Sequence, residues 1–127
     1  MISKLGQVML YVNDQDAAVS FWVDKTGFSI IDEAQNPDEM KWVEIAPTSD
    51  AETSIILHDK KAVAKMSPDV NLGTPSLMFF TDDLDRLYEN FQAKQITVGE
   101  VVTLPQGRVF NFSDHEENYF AVMEQNK

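Results

Sequence analysis

The chain of 127 residues carries 21 acidic against 10 basic residues, a net charge of −11, with 43 % hydrophobic and 10 % aromatic content and no cysteine. That length fits one domain with a sizeable core, the absence of a basic stripe argues against nucleic acid as a partner, and no apolar run approaches the ~18 residues of a membrane span. With neither a disulfide framework nor a thiol nucleophile the cytoplasm is the expected compartment, and the opening MISKLGQVML, short in its apolar run and without a small-residue cleavage site, does not read as a secretory signal.

The first predicted element is a strand over 7–12, rich in β-branched and aromatic residues. Asn13-Asp14 follows as a helix N-cap, and Ala17, Ala18, Phe21 and Trp22 give the apolar side of the helix, which ends at Gly27, a residue suited to the left-handed position after a helix. A strand over 28–33 leads to an Asn36-Pro37-Asp38 turn, and two more strands over 41–46 and 53–58 are separated by Pro47-Thr48-Ser49-Asp50. A linker over 59–75 contains a short helix at 60–66 and irregular chain marked by Ser67-Pro68, Gly73 and Pro75. The second half opens with a strand over 76–81 and a helix presenting Leu84, Leu87, Tyr88 and Phe91, capped by Asp82 or Asp83. Strands over 96–104, 108–112 and 118–124 complete it, the first two joined by a Pro105-Gln106-Gly107 turn.

The two halves are versions of one unit. Val8–Asp16 (VMLYVNDQD) returns as Leu77–Asp85 (LMFFTDDLD), with Met9/Met78, Asp14/Asp83 and Asp16/Asp85 identical. Each half reads β-α-β-β-β, and neither strand–helix unit can bury its apolar surface without its sibling.

The opening QVMLYVNDQDAAVSFWVDKTGFSI, its return as SLMFFTDDLDRLYENFQAKQI and the closing FSDHEENYFAVMEQ resemble the vicinal oxygen chelate superfamily of glyoxalases, bleomycin-resistance proteins and extradiol dioxygenases. The final turn in that family usually reads D-P-D-G-N; Asp114 and Asn118 match, while the Pro and Gly are absent. The resemblance implies an α+β fold in which two paired βαβββ modules, residues 1–58 and 76–127 around the linker, form a cupped mixed sheet with helices on the outer face. The concave face is the expected ligand site.

Given that fold, strand alternation selects the inward side chains: Gln7, Met9 and Tyr11 on the first strand, Ser54, Ile56 and His58 on the fourth, Ser76, Met78 and Phe80 on the fifth, and Tyr119, Ala121 and Met123 on the last. Methionines and aromatic rings on three strands suggest an adaptable apolar pocket with affinity for cations. Metal-dependent relatives place ligands at positions that fall here on Gln7, Ile56, Ser76 and Ala121, of which only Gln7 has a donor suited to a divalent ion; a two-residue shift of register would bring in His58. No metal or other cofactor is therefore expected.

Trp42 and Glu44 share one face of the third strand, and the sequence leaves open which one; inward, Glu44 is a general base or the partner of a cation, and outward it is a solvated carboxylate. Arg108 shares a face with Phe110 and Phe112 and reads either as an anchor for a ligand carboxylate or phosphate or as a surface ion pair. His58 is a candidate acid, base or anchor, and His115 falls in a solvated acidic turn. The leading expectation is a metal-independent protein that binds a small organic molecule, cationic or aromatic, in an apolar cup. The alternative is a metal-dependent glyoxalase-like lyase, isomerase or dioxygenase. Exposed strand edges point to a homodimer.

Overall fold

The computed structural model describes residues 1–34 and 41–125, so the Asn36-Pro37-Asp38 turn lies outside the described residues. The fold is α+β, with two four-stranded mixed sheets, and the chain divides into two compact units, Met1–Thr74 and Pro75–Lys127.

In the first unit β1 (Gln7–Val12) runs into α1 (Gln15–Val19), which continues as a π-helical segment, Ser20–Lys25. Asp14 is the N-cap: its carboxylate accepts from the Ala17 N–H at 3.0 Å, satisfying a donor that has no partner within the helix. The π segment was not legible in the sequence. Its wider turn brings Phe21 and Trp22, adjacent in the chain, both into the core at 5 % and 0 % exposure. Gly27 follows at φ +84°, the left-handed position expected of it.

Three strands complete the unit: β2 (Ser29–Glu33), β3 (Trp42–Ala46) and β4 (Ser54–Asp59). The order is β1-β4-β3-β2, with β1 parallel to β4 and the other pairs antiparallel. Alternation sends Leu10, Val12, Val43, Ile45, Ile55 and Leu57 into the core with Ala18, Phe21 and Trp22. Gln15 joins helix to sheet. Buried beside α1, its side-chain amide donates to the Leu57 carbonyl at 2.9 Å and the Lys41 carbonyl at 3.1 Å. Strand β2 is an edge, exposed along its length, and its register against β3 shifts between Ile30 and Asp32. The segment after β4 forms α2 (Lys60–Met66), capped by the Asp59 carboxylate and packed on β4 and β1.

The second unit contains β5 (Met78–Thr81), α3 (Leu84–Ala93), β6 (Val102–Leu104), β7 (Gly107–Ser113) and β8 (Tyr119–Glu124), in the order β5-β8-β7-β6. Of the two possible caps the structure uses Asp83, which accepts from the Arg86 N–H at 3.2 Å. The strand expected over 76–81 begins only at Met78, and that expected over 96–104 is regular only at Val102–Leu104. Ahead of β6, Val98 makes an isolated bridge to Phe112, the Gly99 N–H donates to the Asn111 carbonyl at 2.8 Å, and the Gly99 carbonyl accepts from the Tyr88 hydroxyl of α3 at 2.9 Å.

Under α3 lies an aromatic core. Phe91 meets Phe110 and Phe112 edge-on at 5.9 and 5.2 Å, and Phe79 and Phe120 extend the cluster. Asp114 shapes the β7–β8 turn from a buried position: its carboxylate accepts from the N–H groups of Glu116 and Asn118 at 2.9 Å each and from the Asn118 amide at 3.1 Å. Glu117 occupies the left-handed position at φ +63°, where the family's turn places glycine.

Candidate functional site

On the face of the first sheet turned away from α1, the ladder arranges side chains in three rows. Gln7 is paired with Ser54; Met9 with Ile56, then Glu44 and Asp32; Tyr11 with His58, then Trp42. The question left open by the third strand is thereby answered, because Trp42 and Glu44 share the face of Gln7, Met9, Tyr11, Ile56 and His58.

The row at the end of β4 is an aromatic and thioether surface. The His58 ring stacks on Tyr11 with centroids 5.7 Å apart and planes 20° from parallel, and its Nε2 lies 3.2 Å from Met9 Sδ. Its Nδ1 is buried and, among the described residues, has no hydrogen-bond partner. Burial disfavours the charged ring and pushes the His58 pKa down, so the imidazole sits against the thioether in its neutral form at neutral pH. The adjacent Asp59 is not its partner; that carboxylate accepts from the Lys61 N–H at the start of α2.

At the opposite end of the same face is a cavity of about 490 Å³, within the range of small-molecule sites. Among the residues that line it are Gln7, Glu44, Ser54, Ile31, Glu52 and Lys4. The Ser54 hydroxyl donates to Glu44 Oε2 at 2.5 Å, which orients the carboxylate; Ser54 is buried and Glu44 half-buried. Ile31 and Glu52 were not anticipated as site residues. Ile31 reaches the cavity at the register shift in β2, for which a single sequence carries no signal, and Glu52 reaches it from the β3–β4 connection.

The second sheet also has a face opposite its helix. There Met78 pairs with Ala121 and Phe80 with Met123, while Tyr119 pairs with Ser113 on β7. Met78, Phe80 and Tyr119 are exposed, Met123 is buried, and Ser76 lies exposed ahead of β5.

Arg108 stands apart from these residues. It lies on the α3 side of the second sheet, where its guanidinium forms bidentate bonds to Asp85 at 3.1 and 3.2 Å and reaches both oxygens of Glu124. Those hydrogen bonds raise the Arg108 pKa and lower that of Glu124. With two carboxylates already on its donors, of the two readings of Arg108 the geometry favours the surface ion pair. His115 likewise is engaged by a neighbour, with its Nε2 3.1 Å from the Glu116 carboxylate.

The donor positions implied for a metal fall on Gln7 and Ile56 in the first unit and Ser76 and Ala121 in the second. Ile56 and Ala121 have no donor atoms, and among the described residues no three His, Asp or Glu side chains converge. The residues present do not fit a divalent ion of the kind the superfamily uses.

Comparison with known proteins places this geometry. A solved structure of TnmS3, an antibiotic-binding protein from Streptomyces sp. CB03234, superposes with a TM-score of 0.82 at 27 % identity over 98 % of both chains. A superfamily member from Sphaerobacter thermophilus DSM 20745 shares the fold with a TM-score of 0.81 at 24 % identity, covering 98 % of each chain. The uncharacterized protein YetH of Bacillus subtilis (strain 168) is 32 % identical over 98 % of this chain and 100 % of its own. The family model for the glyoxalase/bleomycin resistance protein/dioxygenase superfamily matches residues 4–122, and the chain belongs to that superfamily.

Proposed function

We propose that this protein binds a small organic molecule, cationic or aromatic, on the open face of its first sheet, and that it does so without a metal ion. The observation that carries this reading is the cavity of about 490 Å³ beside a half-buried, serine-oriented carboxylate, on the same face as Met9, Tyr11 and His58. A thioether and stacked rings form a surface that adapts to flat apolar ligands, and Glu44 supplies the polar group that fixes orientation. The likeness to TnmS3, described as an antibiotic-binding protein, supports sequestration of such a molecule. Met78, Phe80, Tyr119, Ala121 and Met123, on the corresponding face of the second sheet, belong to the same proposal as a second apolar surface.

The test is a nuclear magnetic resonance titration with aromatic antibiotics, some bearing amino groups and some lacking them. Shifts are expected at the amides of Gln7, Met9, Glu44, Ile56 and His58. Shifts confined to other regions, or none with any compound, would refute the assignment. Elemental analysis of protein purified without chelator is expected to find metal well below one equivalent. A stoichiometric ion with chelator-sensitive turnover would instead establish the metal-dependent enzyme.

A further inference from the structure

Glu44 is an unusual residue for its place. It lies on β3, an interior strand, where a carboxylate loses hydration that few groups restore. Its one protein hydrogen bond among the described residues comes from Ser54 to Oε2, so Oε1 has no hydrogen-bond partner there, and Lys4, which lines the same cavity, forms no ion pair with it among the described residues. Its partner across β2 is Asp32, a second carboxylate, and like charges in directly opposed positions destabilise a sheet. A bound cation relieves both costs, by hydrogen-bonding the open oxygen and by neutralising the paired charges.

We infer that the cavity is a receptor for a protonated amine, with the ammonium N–H groups donating to Glu44 Oε1 and to the side-chain oxygen of Gln7, which lines the same cavity. The inference deepens the proposed function and rests on it, since it names the chemical class of ligand for that site. An ammonium fits better than a divalent ion. The carboxylates that line the cavity, Glu44 and Glu52, and a serine whose proton is already committed to Glu44 fall short of the six to eight oxygens that calcium collects. It also fits better than a quaternary ammonium, which has no N–H to offer an open carboxylate oxygen.

Three matched probes test the assignment: phenethylamine, its neutral counterpart phenethyl alcohol, and the trimethylammonium analogue of the amine. Affinities are read from amide shifts of Gln7, Glu44 and Ser54 at millimolar concentrations, in the wild type and in Glu44→Gln and Glu89→Gln. The amine is expected to bind about tenfold more tightly than the alcohol, the ratio that one charge-assisted hydrogen bond supplies, and more tightly than the trimethyl compound. Glu44→Gln, which keeps the side-chain shape, should abolish this preference, and Glu89→Gln, which removes an exposed charge on α3, outside the cavity lining, should preserve it. Equal shifts from amine and alcohol would overturn the amine receptor while leaving small-molecule binding on this face intact. Equal binding of the amine and its trimethyl analogue would overturn it too, reducing the effect to attraction by the acidic chain. Persistence of the preference in Glu44→Gln would refute the role of that carboxylate. If no probe shifts these amides, both this inference and the proposed site fail together.

Discussion

Gln15 offers the sharpest test of how the first sheet is held to its helix. Its Nε2 donates two hydrogen bonds, to Leu57 O on β4 and to Lys41 O at the entry to β3, and the residue is only 8 % exposed. Replacement by methionine keeps the length and most of the packing while removing both donors. Each neutral hydrogen bond contributes about 1 kcal/mol net, so Gln15→Met should lose about 2 kcal/mol. Gln15→Ala loses the same bonds and also the side-chain packing, so about 3 kcal/mol is expected. Urea unfolding followed by circular dichroism measures both, and the midpoint should fall while the denaturant slope stays constant. A Gln15→Met variant within about 0.5 kcal/mol of wild type, below the contribution of even one such bond, would refute the claim that this side chain ties helix to sheet.

Three other outcomes follow from the structure. Glu117→Gly removes a side chain from a left-handed backbone position and should stabilise the protein by about 1 kcal/mol, visible as a rise of a few degrees in Tm; a lower Tm would contradict the strain assigned to this turn. Burial holds the His58 pKa below 6.5, so the unfolded chain binds that proton more readily than the folded one. The contribution is therefore present above pH 6.5 and is lost as the pH falls through and below it; His58→Gln should flatten the decline in Tm over that interval, and an unchanged profile would exclude His58 as its source. Finally, β2 is an exposed edge strand bearing Ile30 and Ile31, which accords with the homodimer expected of the chain; light scattering at micromolar concentration should return twice 14.4 kDa, and a monomer would remove it.

The two sheets share a division of labour that follows from their alternation. Each buries one face under its helix, through Ile45 and Leu57 in the first unit and through Phe110 and Phe112 in the second, and each leaves methionine and aromatic side chains on the other. Function is argued from those second faces because the superfamily's fold hosts many chemistries, and only the side chains at the site choose among them. Ile56 and Ala121 at the positions the family resemblance implies for metal ligands are such a choice, and the carboxylate at Glu44 is another.

Local physics made much of this legible in one dimension. The caps at Asp14 and Asp83, the helix stop at Gly27 and the alternation along β1 each depend on residues within a turn or two of one another, so the repeated β-α-β-β-β order could be read directly. Other features needed partners distant in the chain. The face taken by Trp42 and Glu44 depends on their register with His58 and Ile56, and the pairing of Arg108 with Phe110 and Phe112 was clear while the layer they face was not. Ile31 enters the cavity through a register shift, and Gln15 finds its acceptors on strands that arrive much later in the sequence. Alternation determines which side chains travel together; only the hydrogen-bonded ladder and the helix packed on it decide which side is core and which is left to meet a ligand.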